Sequence, residues 1–228
     1  MQNAIRITRG WTAGILVAVL VLAAAGASQA SVILSFSQTS SGGVPASYMD
    51  ALLTFDVSGN TLTLTMNNQT TNPPESFYIN QIFFNATSNV TDLTLVNAPD
   101  GWSLDFAENG HKADGLGYYD VALIGGVGNH PGEVAPGETT VFTLAITGTG
   151  PFADPNFATE KSLSSSGEIE SLAVAKFVRG SQNDDSAFGN ATTTTVVPEP
   201  ATMAFLALGA VAVMARRLGG ARTKQPRR

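Results

Sequence analysis

Through the middle of the chain, apolar and polar residues alternate with a period of two. Leu53, Phe55 and Val57 alternate with Thr54 and Asp56, Ser58-Gly59-Asn60 breaks the run, and Leu62, Leu64 and Met66 then alternate with Thr61, Thr63 and Thr65. This pattern predicts a β-hairpin with one apolar face and one threonine-covered face. Phe77 and Ile79 are out of phase with Ile82 and Phe84, which predicts a bulge near Asn80-Gln81. Further strands are predicted around Leu93 and Leu95, around Trp102, Leu104 and Phe106, across Tyr118–Ile124, and around Phe142, Leu144 and Ile146. Pro136-Gly137-Glu138 reads as the turn entering the last of these. Leu172, Val174 and Val178 share a face with Lys176, so that strand either lies at an edge or lets the lysine stem snorkel. No window of the body carries a 3.6-residue apolar stripe. The predicted fold is all-β, an antiparallel two-sheet sandwich of jelly-roll type, with a closed barrel as the structural alternative.

The two ends follow a different pattern. Near the amino end, Arg6 and Arg9 precede an apolar run from Ala13 to Ala25, and Ser28-Gln29-Ala30 supplies small residues before Ser31. This order predicts a signal peptide over residues 1–30. At the carboxyl end, Pro198-Glu199-Pro200 precedes an apolar run from Ala201 to Ala215, followed by Arg216 and Arg217. Two prolines hold Glu199 in stiff extended backbone, so it stands at the entrance to the apolar helix. Fifteen residues make a helix only about 22 Å long, against a hydrocarbon core of ~30 Å. Spanning therefore requires a thinned bilayer or snorkelling arginines. The predicted organisation is a signal helix over 1–30, an exported domain over 31–180, a flexible threonine-rich spacer over 181–197, and a sorting segment with one transmembrane helix over 198–228.

Charge supports this topology. The net charge is −6 over 228 residues, but residues 31–197 hold 17 acidic and four basic groups, while both ends are basic. An acidic body between basic, apolar-flanked ends fits export, with the carboxyl-terminal arginines left in the cytoplasm as a stop to transfer. An acidic body argues against nucleic acid as a partner. The absence of cysteine excludes a disulfide scaffold, a thiol nucleophile and Cys-ligated metals.

The carboxyl tail resembles the PEP-CTERM sorting signal of Gram-negative and related bacteria. Pro198, Glu199 and Pro200 match the motif, Ala201–Ala215 the helix, and Arg216 with Arg217 the basic stop. The chain departs from the pattern in carrying eleven residues beyond Arg217, including a second basic cluster. The resemblance implies handling by the export machinery, at least transient membrane insertion, and processing by an exosortase-type membrane protease. It further implies delivery to the cell surface or the extracellular polysaccharide matrix of a biofilm.

Motifs for catalysis are missing. There is no G-x-S-x-G, H-E-x-x-H or phosphate-binding loop. His111 and His130 both stand beside turn residues and read as solvated loop histidines. No catalytic residue is assigned and no cofactor is expected. Calcium is the one ion the composition favours, through Asp100, Asp105, Glu108, Asn109 and Asp114, with Asp184 and Asp185 further on. Trp102, Tyr118 and Tyr119 are candidate sugar-stacking rings. The alternation places Trp102 in the core, and one of the two adjacent tyrosines must point outward. The expected function is non-enzymatic: structural, adhesive or polysaccharide-associated. The alternatives are a surface hydrolase acting on polysaccharide, and a carboxyl-terminally anchored calcium-binding surface domain.

Overall fold

The computed structural model describes residues 31–39, 48–70, 77–125, 132–164, 168–179 and 186–197. Alternation becomes strand almost wherever it occurs. The ten strands are β1 (Ser31–Thr39), β2 (Ala51–Ser58), β3 (Thr61–Asn68), β4 (Phe77–Phe84), β5 (Val90–Asn97), β6 (Ser103–Ala113), β7 (Gly117–Ile124), β8 (Thr139–Gly148), β9 (Ala173–Arg179) and β10 (Ser186–Val197). A single helical turn, α1 (Pro155–Ala158), lies between β8 and β9.

All ten strands belong to one antiparallel sheet in the order β5-β8-β3-β2-β1-β10-β9-β4-β7-β6. The expected pair of sheets is therefore replaced by one sheet that curls until its edges, β5 and β6, approach each other and nearly close a barrel. Val90 and Leu93 of β5 and Trp102 beside β6 all belong to the main core, and Leu104 and Phe106 of β6 pack against it. Side chains rather than ladder hydrogen bonds thus bridge the open edge.

The β2–β3 hairpin matches the pattern. Ser58 pairs with Thr61 across Gly59-Asn60, and Gly59 takes φ +59°, which only glycine adopts freely. The bulge expected near Asn80-Gln81 appears as a register shift between Ile79 and Gln81 against β9. The Asn80 carbonyl, turned out of the ladder, accepts from the Gly125 amide at 2.7 Å. The Pro136-Gly137-Glu138 turn carries φ +79° at Gly137 and leads directly into β8.

The largest correction concerns the predicted spacer over 181–197. Residues 186–197 form β10, which pairs with β9 over residues 186–191 and with β1 over residues 189–191 and 194–197, so it has partners on both sides at Gly189–Ala191. The body therefore extends past 180, to Val197. A polar, threonine-rich composition misled here because the strand packs through its small residues. Ala187 and Ala191 are fully buried, and a Cβ on Gly189 would come within 2.7 Å of the Phe177 ring.

The inner face of the sheet holds the main core, led by Phe36, Phe55, Phe84, Phe142, Phe157 and Phe177. Beneath its open end, the buried Asp154 carboxylate accepts from the Val57 amide at 2.6 Å, satisfying a β2 donor that β1 does not reach. A second, smaller core of Phe83, Ala113, Leu116, Tyr119, Ala122 and Val174 lies on the outer face of β4, β7 and β9. Residues 160–164 and 168–172 roof it, held by Tyr118–Leu163 and Ser162–Ser171 backbone hydrogen bonds.

Candidate functional site

A cleft of about 750 Å³ opens where the β4–β5 connection, the middle of β6 and residues 160–163 converge. Asn85, Thr87, Ser88, Thr91, Glu108, Asn109, Asp120, Glu160, Lys161 and Ser162 give it a polar lining, and Phe106 adds a ring. Its walls are set by backbone–side-chain hydrogen bonds. Asp120 of β7, nearly buried, accepts from the Ala86 amide at 3.1 Å through Oδ2 and from the Asn109 amide at 2.8 Å through Oδ1. Its own amide donates to Asn85 Oδ1 at 2.8 Å. One carboxylate thus fixes both the loop after β4 and the bulge in β6.

That bulge comprises residues 107–110, where the β6–β7 register breaks between Phe106 and His111. Asn109 takes φ +49°, a left-handed geometry that asparagine tolerates. The Gly110 Cα lies so close to Ala107 that an added Cβ would meet the Ala107 Cβ at 2.6 Å. The opposite wall is tied to α1. Asn156 Nδ2 donates to Thr87 Oγ1 at 2.8 Å and to Asn89 Oδ1 at 3.1 Å, and Thr87 Oγ1 donates to Asn89 Oδ1.

The candidates read from the sequence separate in space. Trp102 is core, edge-on to Phe142 at 4.8 Å and 70°. Tyr119 is fully buried, and its hydroxyl donates to the Leu116 carbonyl at 3.0 Å. Burial pushes its pKa up to about 12. Tyr118 faces outward as expected, but Lys112 covers it, with Nζ 5.4 Å from the ring centroid. Lys112 also lies 3.4 Å from Glu168, and hydrogen bonding to that carboxylate raises the lysine's pKa.

His111 corrects the loop reading. It sits within β6 with its side chain 12% exposed, and Nε2 is 3.9 Å from Asp105. The presumed calcium ligands disperse likewise. Asp105 stands exposed beside His111, Glu108 and Asn109 line the cleft, and Asp114 lies in the β6–β7 turn. Among the described residues, no group of three or more His, Asp or Glu is placed to hold a metal ion. His130, Asp184, Asp185, the predicted signal peptide over residues 1–30, the predicted transmembrane helix Ala201–Ala215, Pro198, Glu199, Pro200, Arg216 and Arg217 lie outside the described residues. Among the described residues no helix is long and apolar enough to cross a membrane.

Asp120 was not singled out by the sequence, because one aspartate within a mixed run looks like solvated surface. Asn109-Gly110 was the available signal for the bulge it anchors, since that dipeptide inside a strand marks a turn.

Comparison with curated proteins and with solved structures finds no match to the chain. A family model described as the PEP-CTERM protein-sorting motif matches residues 196–218, beginning on the last two residues of β10. The chain therefore carries a PEP-CTERM sorting signal fused without a spacer to a ten-stranded antiparallel β-domain.

Proposed function

We propose that this is a non-enzymatic exported protein whose β-domain is delivered to the cell surface or polymer matrix and associates there with polysaccharide. The sorting motif at residues 196–218 carries the first half of this reading, because that motif marks substrates of exosortase-type membrane machinery. In the proposed pathway Glu199, held between Pro198 and Pro200, is the recognition feature, and Arg216 and Arg217 stop transfer.

The polysaccharide half is supported by the chemistry of the cleft. Amide and hydroxyl groups of Asn85, Thr87, Ser88 and Thr91 suit sugar hydroxyls, and Phe106 offers an apolar surface beside them. A hydrolase reading finds less support. The Asp120 oxygens are already engaged by two backbone amides, leaving Glu108 and Glu160 as the other carboxylates of the cleft.

Intact mass of the surface and medium forms tests the sorting reading. The native chain should lose residues 1–30 and its tail, and Glu199→Ala should retain the tail. A tail retained in both would reduce the segment to a plain anchor. Retention of the native protein by the cell's own polymer, weakened by Phe106→Ala, tests the cleft. Turnover of that polymer by the purified protein would reverse the non-enzymatic reading.

A further inference from the structure

β10 joins the sheet together. On one side of it lie β5-β8-β3-β2-β1, on the other β9-β4-β7-β6, and no strand of the first group forms a ladder with a strand of the second among the described residues. It is also the last strand in sequence among the described residues. Its inward Ala187 and Ala191 are fully buried, and the Ala191 carbonyl accepts from the Leu172 amide at 2.9 Å and from Ser171 Oγ at 3.1 Å. Its final residues pair with the first residues of the body, Val196 with Val32 and Val197 with Ser31. The sorting motif begins at Val196, so its first two residues are ladder residues, and Pro198, which has no N–H to donate, comes immediately after.

We infer that β10 is a closing strand that makes completion of the exported fold conditional on export of the sorting junction, and that the finished ladder shields the chain up to Val197 from proteolysis. A chain exported from its amino end presents β1 through β9 first. Until residues 186–197 follow, β1 and β9 each expose an unpaired edge, and the apolar inner face cannot close. Once β10 is in place, the carboxyl side of the body is paired up to Val197, so at the junction a protease needing an extended, unpaired substrate meets one beyond the last ladder pair. The structural role of β10 in closing the sheet is independent of the sorting reading, whereas its coupling to export rests on it. The relevance of the shield to exosortase rests on that reading, so the test uses neither exosortase nor cells competent for sorting.

The full chain in detergent is digested with a broad-specificity protease, beside a chain ended after Val197 and another ended after Asp185. The full chain and the Val197-ended chain should yield the same resistant body, with its carboxyl boundary at or beyond Val197. The Asp185-ended chain should be digested about a hundredfold faster, as expected where a global rather than a local opening is populated. Hydrogen exchange on the full chain should find the amides of 187–191 as slow as those of β4 and β9. Equal resistance of the Asp185-ended chain, or exchange of 187–191 at loop rates, would overturn the closing role. A carboxyl boundary before Thr195 in the full chain would overturn the shield.

Discussion

The same sheet is built by two rules. From β2 to β3 one face is buried and the other meets water, and burial alternates residue by residue. From β4 to β7 and β9 both faces are covered, and burial is nearly continuous. Phe84 enters the main core while its neighbour Phe83 enters the second one. The difference lies in what covers the outer face, the roof segments 160–164 and 168–172 and the Phe188 ring beside Phe83, which turn an outer face into an interior. A sheet position is therefore defined less by its strand than by what lies over it.

The sharpest way to break this contrast is to place one charge on the outer face of each half. Val174→Lys puts an ammonium into the roofed core beside Phe83 and should cost at least ~4 kcal/mol. Thr63→Lys, on the open face opposite Asp56, should change stability by no more than about 0.5 kcal/mol. Urea unfolding midpoints compare the two, and similar losses at both sites would dissolve the distinction.

Next in size is Asp154→Ala, which strands the Val57 amide at the end of the open half. Its expected cost is about 2–3 kcal/mol, since the acceptor of a buried donor is removed. Asp154→Asn should recover part of that loss by keeping an acceptor oxygen in place.

The smallest effect comes from Tyr119→Phe under the roof. Losing the hydrogen bond to Leu116 should cost about 1 kcal/mol at neutral pH. The pH dependence is the more telling readout. The folded state holds the Tyr119 proton up to about 12, whereas an unfolded tyrosine releases it near 10. Stability is independent of this group below the unfolded value and falls as pH rises from about 10 to about 12. Tyr119→Phe should flatten that alkaline decline, and an unchanged slope would show that the roof opens before Tyr119 titrates.

Legibility followed the same division. The β2–β3 hairpin, the β8 pattern and the β4 bulge were readable because one face is wet and period two survives. The β9 run was readable as a strand but not as an interior one. Lys176 left open an edge or a snorkelling stem, and the second holds: β9 lies between β10 and β4, with Nζ 5.9 Å from the Phe188 ring centroid. β10 was illegible as a strand because Gly189, Ala187 and Ala191 satisfy tight packing rather than hydrophobic patterning. A single sheet in place of two follows from β10, which fuses the halves by pairing with β1, itself a strand the alternation did not single out. The cleft was invisible for another reason. Its lining comes from segments distant in sequence, joined through Asp120, and no local spacing reports such a convergence.

The pairing of Ser31 with Val197 has a mechanical consequence. Both ends of the body leave from one corner, on neighbouring antiparallel strands about 5 Å apart. Tension applied between the two ends would peel β1 from β10 one pair at a time, like a zipper, instead of loading all the pairs together in shear. A body pulled in this way should yield at low force. The same body gripped elsewhere and pulled by its tail alone would place the β1–β10 and β10–β9 ladders under load together.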